Sequence, residues 1–271
     1  MSLSASLVLY NNPPTQFEAA IASFISGSQD GMLCVVDNSE QPLSSLWFGH
    51  DRVHYVHADK NLGFGAGHNL AMSKVCPHSD LHLLLNPDIE FDAGLLPTLA
   101  AMMNAQPEVA ALMPRIVYPD GSLQHLCKLL PTPMDLLVRR FLPSRTLKER
   151  LNRRYELHHL PLDRPSAVPT LSGCLLLARS PDLLRLGGFD ERYFMYMEDV
   201  DLVRRLGDLG QTLYTPQVQA VHGYAKGSYR SKKLMGYHLR SAILYFNKWG
   251  WFFDPVRTRR NRVAMQAGPV G

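Results

Sequence analysis

Asn86-Pro87-Asp88 closes a short apolar run, Leu81-His82-Leu83-Leu84-Leu85. The run has the length of a buried strand. Pro87 has no N–H and drives Asn86 toward an extended conformation, so the strand cannot pass into a helix there. Asp88 is thereby presented at the carboxyl end of a strand, the edge at which open α/β sheets bind ligands. With Glu90 nearby, such a carboxylate can hold a hard divalent cation that bridges phosphates. Taken alone, Asp88 has a plainer reading as a turn former.

Other candidates are spread along the chain. Gly63-x-Gly65-x-Gly67 precedes a helical stretch and offers backbone N–H groups to an anion. Its third glycine comes one residue too early for the dinucleotide fingerprint. Asp37 ends another apolar run and could meet a nucleotide or simply form a turn. Asp199 stands between Glu198 and Asp201 at a helix start. A carboxylate among other acids can be tuned toward neutrality and serve as a general base, or it can cap the helix. His222 could ligate a metal or fill a loop.

These residues need elements to hold them. Strands are expected at 5–10, 32–36, 53–56, 81–85 and 109–113. Helices are expected from Thr15 as cap, over 68–75 and over 94–106. This alternation calls for a mostly parallel sheet with helices on both faces. Parallel strands would bring Tyr10-Asn11, Asp37-Asn38 and Asn86-Asp88 to one edge. Pro119-Asp120-Gly121 marks a tight turn. Residues 125–169 are rich in proline and in arginine (Arg139, Arg140, Arg145, Arg150, Arg153, Arg154), and read as helices and loops laid over the site. A strand over 170–178 carries Gly173, where a bulge or a close approach is expected. Short strands at 212–214 and 217–221 lead to His222. A helix over 232–250 places Met235, Leu239, Ala242, Ile243, Phe246 and Trp249 on one face. The tail beyond Pro255 reads as basic and loose.

The totals agree with a globular protein. Apolar residues are 46 % of the 271 and charged residues 19 %, which argues against disorder. A formal charge of +4 does not mark a nucleic-acid binder, and no nucleic-acid partner is expected. Cys34, Cys76, Cys127 and Cys174 show no zinc or redox spacing and fit a reducing compartment. Neither a leader at the N-terminus nor an 18-residue apolar run is seen. The chain is read as one unit: a first half to about 115, a second half over about 116–250, and a basic tail over 251–271.

In combination the motifs are more specific. Tyr10-Asn11, Asp37-Asn38-Ser39, Asn61-x-Gly63-Phe64-x-x-Gly67-x-Asn69, Asn86-Pro87-Asp88, Pro119-Asp120-Gly121-Ser122-x-Gln124, Gly173, Gly188-Phe189-Asp190-Glu191, Glu198-Asp199-x-Asp201-Leu202-x-x-Arg205 and His222 follow in that order. The series, over about residues 5–250, resembles the inverting family 2 glycosyltransferases of the GT-A fold, and within them the rhamnosyltransferase-like members. The resemblance implies an α/β GT-A fold with a smaller acceptor-side part and a C-terminal amphipathic helix. It implies that Asp37 meets the nucleotide base and that Tyr10, Asn11, Asn38, Asn61, Gly63, Gly67, Asn69 and Asn86 line the donor. Asp88 and His222 would hold Mg²⁺ or Mn²⁺ on the diphosphate. Asn86 stands where many relatives carry an acid, which weakens the metal set. Asp199 would take the acceptor proton, with Gly173, Glu198 and Asp201 on the acceptor side.

The implied reaction moves a sugar, L-rhamnose from dTDP-L-rhamnose, to a hydroxyl of a surface glycan or lipid-linked acceptor. A UDP- or GDP-sugar enzyme and a non-catalytic sugar-nucleotide binder are the alternatives. A nicotinamide oxidoreductase fits the glycine loop poorly. The expected location is the cytoplasm. The basic, aromatic stretch over 230–262 raises peripheral attachment to the inner face of the plasma membrane as a hypothesis.

Overall fold

A computed structural model describes residues 1–138, 144–223 and 232–266. Arg139, Arg140 and Arg230 of the basic stretches fall outside them. Strands β1 (Leu3–Leu9), β2 (Met32–Asp37), β3 (Val53–His57) and β4 (Leu81–Leu85) lie in the order β3-β2-β1-β4. All three pairings are parallel, with Leu9 beside Asp37, Asp37 beside His57 and Leu7 beside Leu85. The polar strand ends therefore meet at one edge, as the alternation requires. Strands β1, β2 and β4 are mostly apolar and buried because helices α1 (Pro14–Gly27), α2 (Phe64–Val75) and α3 (Leu95–Ala105) cover the sheet, whereas the edge strand β3 carries His54, Tyr55 and His57 and is only partly buried.

The second half interleaves with the first. Short β5 (Ile89–Phe91) and long β6 (Val109–Val117) are followed by β7 (Ser166–Ala167), β8 (Leu175–Arg179) and β9 (Gln211–His222). Strand β8 inserts antiparallel between β4 and β6, with Leu85 opposite Leu175. Strand β9 runs parallel to β6 and antiparallel to β5, with Ile89 opposite His222. The two short strands expected at 212–221 are thus one strand. Its register on β6 jumps after Pro114, where Thr215 gives way to Gln219. Pro216, which lacks an N–H for the ladder, lies in that gap.

Helices α4 (Arg145–Tyr155), α5 (Ser180–Arg185), α6 (Glu198–Leu206), α7 (Lys232–Trp249) and α8 (Pro255–Gln266) complete the described chain. The face of α7 that packs is rotated from the expected stripe. Ala242, Tyr245 and Phe246 are buried against Tyr193 and Met197, whereas Leu239 and Ile243 are exposed. The tail beyond Pro255 is helical rather than loose. Asp254 caps it by accepting from the Arg257 N–H, and Pro255 occupies the first turn, where its missing N–H costs nothing. Two of its arginines face inward. Arg257 is buried, and Arg260 donates to the carbonyls of Arg204 and Gly207 at the end of α6. None of the helices among the described residues is long and apolar enough to cross a membrane.

Three other expectations shift. Thr15 lies inside α1, whose cap position is Pro13. Helix α2 begins at Phe64, so Gly65 and Gly67 belong to its first turn. Residues 170–174 precede β8 and are not strand.

Candidate active site

The β5–β9 pairing sets Asp88 beside His222, with His222 Nε2 3.2 Å from Asp88 Oδ1. Gln124 fixes the ring. Its Nε2 donates to the His222 carbonyl at 2.9 Å, so the amide must point its Oε1 at His222 Nδ1, also 2.9 Å away. A carbonyl oxygen can only accept, so Nδ1 carries the hydrogen and Nε2 faces the Asp88 carboxylate. An imidazole nitrogen and a carboxylate oxygen at that spacing can share a proton or a larger cation. The donor set, one carboxylate and one imidazole with an oriented second nitrogen, fits a divalent metal. Among the described residues no cluster of three or more His, Cys, Asp or Glu could hold a metal. A metal held here would therefore draw its remaining ligands from a substrate and water. Gln124 was quoted in the motif series but given no role. Only the long-range β6–β9 pairing reveals what it does.

Asp199 is tied to the loop that precedes β8. Its Oδ2 accepts from the Gly173 N–H at 3.2 Å and its Oδ1 from the Val200 N–H at 2.8 Å. Asn86 N–H in turn donates to the Cys174 carbonyl at 2.8 Å, so the 173–174 backbone links the end of β4 to the start of α6. Burial pushes the Cys174 thiol up to about 12, and the charges of Asp88 and Asp199 add to that rise. Gly173 is a close approach rather than a bulge: a Cβ there would lie 3.2 Å from the Cβ of Asp199. Tyr196 and Met197 both have φ of 68°, a conformation that costs side-chain-bearing residues about 1–3 kcal/mol each. That strain sits directly before Glu198 and Asp199.

The two neighbouring acids have different surroundings. Glu198 is buried, and its Oε2 has no hydrogen-bond partner. Burial, with the Asp199 charge beside it, pushes its carboxyl well above the usual range. Asp201 is wholly buried and accepts from Arg205 Nε, Trp249 Nε1 and Lys248 Nζ at 2.7–2.8 Å. It is a junction between α6 and α7, in the same first turn of α6 as Asp199.

The residues expected on the donor side gather at the β1–β2–α2 edge. Asp37 is wholly buried and accepts from the N–H groups of Ser39 and Leu43 and from Tyr55 Oη. Burial raises its carboxyl, but these bonds outweigh that and hold it below the ordinary range. Asp37, the residue expected to meet the nucleotide base, thereby also organises the loop after β2. Asn11, in the left-handed region at φ 55°, donates its N–H to Ser39 Oγ, while Tyr10 is exposed. Asn38 Nδ2 donates to the Gly63 carbonyl, and its buried Oδ1 has no partner, as is also true of Asn86 Oδ1.

The glycine loop is partly satisfied from within. Asn61 Oδ1 accepts from the Gly63 N–H, and the Phe194 carbonyl accepts from the Phe64 N–H. Gly63, at φ 86°, leaves room for Phe194, and a Cβ on Gly67 would come within 2.8 Å of Val8. Asn69 clamps Phe189, donating to its carbonyl and accepting from its N–H at 2.9 and 2.8 Å. These residues thus pack α2 onto β1 and onto the 188–194 loop, which leads into α6.

This arrangement has known counterparts. The chain is 31 % identical over 230 residues to an N-acetylglucosaminyl-diphospho-decaprenol L-rhamnosyltransferase of Mycobacterium tuberculosis, covering 76 % of this chain and 72 % of that protein. The chain belongs to the GT-A glycosyltransferases, among rhamnosyltransferase-like members. Rhamnosyltransferase WbbL of Escherichia coli is 41 % identical over 83 residues, 30 % of this chain and 31 % of its own. No protein-family model matches.

Solved structures agree on the fold. TarS 1-349 of S. aureus has a TM-score of 0.57 at 14 % identity, over 98 % of this chain and 70 % of its own. Mannosyltransferase PcManGT of Pyrobaculum calidifontis, solved with GDP-Man and Mn²⁺, has a TM-score of 0.54 at 17 % identity, over 98 % and 74 %. GalNAc-T7, solved with UDP, GalNAc and Mn²⁺, has a TM-score of 0.59 at 12 % identity, over 92 % of this chain. This glycosyltransferase spans about half, 49 %, of the GalNAc-T7 chain.

Proposed function

We propose that this glycosyltransferase moves L-rhamnose from dTDP-L-rhamnose to a hydroxyl of a surface-glycan or lipid-linked acceptor, with inversion at the anomeric carbon. The observation that carries the reading is the pair of carboxylates, Asp88 on its oriented histidine and Asp199 on the Gly173 N–H, linked through the 173–174 backbone that Asn86 bonds. The choice of rhamnose rests on the printed names of two relatives.

In this mechanism Asp199 accepts the proton of the acceptor hydroxyl. The freed oxygen attacks the anomeric carbon in line as the bond from that carbon to the diphosphate oxygen breaks. The electron pair leaves with the nucleoside diphosphate, so no enzyme nucleophile is needed and the configuration inverts. Asp88 and His222 would hold a divalent ion, Mg²⁺ or Mn²⁺, which would neutralise charge gathering on the departing diphosphate. Gln124 keeps His222 in the tautomer that allows this. The β1–β2–α2 edge, with Tyr10, Asn11, Asn38 and Asn61, would border the nucleoside, and Asp37 would act through the loop it holds. Gly63, Gly67 and Asn69 would keep α2 in place beneath it. Asn86 would present its unpartnered Oδ1 to the donor.

A thermal-shift panel of dTDP-, UDP- and GDP-sugars, each with and without Mn²⁺ or Mg²⁺, tests the donor. At a hundredfold excess over Kd, binding adds about 2.7 kcal/mol. The expected result is metal-dependent stabilisation by dTDP-L-rhamnose above the others. A preference for UDP- or GDP-sugars would overturn the donor while keeping the chemistry. Donor binding without any transfer or donor hydrolysis would favour a non-catalytic binder.

A further inference from the structure

The corner between α7 and α8 is built to hold two aromatic side chains outward. Gly250, at φ 100°, ends α7, and a Cβ on it would lie 2.5 Å from the Phe253 carbonyl. Buried Arg257 then draws the corner's backbone inward. Its guanidinium donates to the carbonyls of Pro131, Gly250, Trp251 and Phe252 at 3.2–3.3 Å. Asp254, the next residue in the corner, is locked by a two-pronged pair with Arg204 at 2.7 and 2.9 Å. With the backbone carbonyls held below, the side chains of Phe252 and Phe253 point out, 79 % and 93 % exposed. Burying them would be favourable, and the turn is too well bonded to collapse over them.

The surroundings are cationic. Phe252, Phe253, Arg259, Arg262 and Val263 border one surface recess, and both arginines are exposed. From residue 209 to the C-terminus the sequence carries ten Lys and Arg against a single acid, Asp254. That acid is consumed by Arg204, so it contributes no free negative charge to the patch.

We infer that this corner docks on an anionic bilayer, with Phe252 and Phe253 at headgroup depth and Arg259 and Arg262 on the lipid phosphates. Two phenylalanines on a tight turn offer far less than the roughly 800 Å² per partner of a stable protein interface. Entering a bilayer requires no complementary pocket, and aromatic side chains flanked by Arg suit the lipid–water boundary. The inference deepens the proposed lipid-linked acceptor by stating how the enzyme would reach it. It excludes Arg257 and Arg260 as lipid contacts, because both are spent inside the fold.

The test is co-sedimentation of the full chain, without donor or acceptor, with vesicles of phosphatidylcholine alone or of phosphatidylcholine and phosphatidylglycerol at 7:3. Binding is expected on the anionic vesicles only and should weaken as salt rises. Arg259→Ser with Arg262→Ser should lose roughly thirtyfold in affinity, the worth of two basic residues near an anionic surface. Phe252→Ser with Phe253→Ser should lose at least about as much, and both pairs should keep the wild-type melting temperature. Equal sedimentation of variants and wild type, or no binding at low salt, overturns the proposal. So does self-association in analytical ultracentrifugation that the phenylalanine pair abolishes while vesicle binding stays intact. Because the assay contains no sugar nucleotide, its outcome is independent of whether rhamnose is the sugar transferred.

Discussion

Trp249 Nε1 lies 2.8 Å from Asp201 Oδ1, and that bond joins the end of α7 to α6, whose first turn carries Asp199. Lys248 and Arg205 reach the same carboxylate, and Arg204 lies 4.1 Å from the centre of the Trp249 ring. Asp201→Ala would leave two cations and an indole N–H around an empty, buried site. The expected cost is about 3–5 kcal/mol, the usual penalty for breaking a buried ion pair from one side. Chemical denaturation measures it. A loss of transfer with unchanged stability would instead return Asp201 to the reacting centre.

Gln124→Met should release the His222 ring. The metal affinity of a site that loses such an orienting bond falls by about 10–100-fold. Calorimetry of Mn²⁺ in the presence of dTDP reads this directly. Asp88→Ala should abolish the metal-dependent part of that binding, with little change in the melting temperature of the ligand-free protein. Unchanged metal affinity in both variants would reduce Asp88 and His222 to a structural pair.

The acid limb of the stability curve has its own origin. His82 bridges Ser4 and Ser6, and His68 bonds Ser6, all within the sheet core. Burial depresses both rings to about 3. A histidine depressed in the folded state contributes stability above its unfolded value of about 6.5, and that stability is lost as pH falls toward 3. Each ring adds a slope of up to about 1.4 kcal/mol per pH unit in that window. Unfolding free energy measured at pH 7, 6 and 5 should therefore decline, and His82→Gln should flatten the decline. A pH-independent stability over that range would mean the rings ionise in place.

The ends of β1, β2 and β4 were legible because a fully buried parallel strand is an unbroken apolar run that must stop at a polar turn. Asp88 stood out for that reason, Asp199 by the acidic start of a helix, and His222 by its order in the motif series. Other features were not legible. The insertion of β8 between β4 and β6 is a long-range pairing that local periodicity does not encode. The β6–β9 pairing, equally long-range, decides that Gln124 meets His222. The closure of Asp37 by Leu43 and Tyr55 depends on a loop with no local signature. One miss had a signal: Asp254-Pro255 is a cap followed by a first-turn proline, and it announces α8. The rotation of α7 followed from Leu239 and Ile243, which share a helical stripe with Ala242 and Phe246 yet fall outside the contact with Tyr193 and Met197.

Glu198 and Asp199 are adjacent acids, and the structure separates their work. Asp199 is held by two backbone N–H groups beside Gly173, whereas Glu198 is buried with an oxygen that has no partner. Burial and the neighbouring charge keep the Glu198 proton on well above the usual carboxylate range. A neutral acid is mimicked by an amide of the same shape. Glu198→Gln should therefore retain transfer to within about tenfold, while Asp199→Asn should lose a factor on the order of 10² to 10⁴, the share of a general base. Stability supplies an independent check. An acid whose folded pKa lies above its unfolded value of about 4.3 binds its proton more tightly when folded. Its contribution is complete below that value and is lost as pH rises toward the folded pKa. Glu198→Gln removes that loss, so its melting temperature relative to wild type should be higher at pH 8 than at pH 5. Equal collapse of transfer in both variants, or a stability difference that does not grow with pH, would make Glu198 an ionised partner in the reaction.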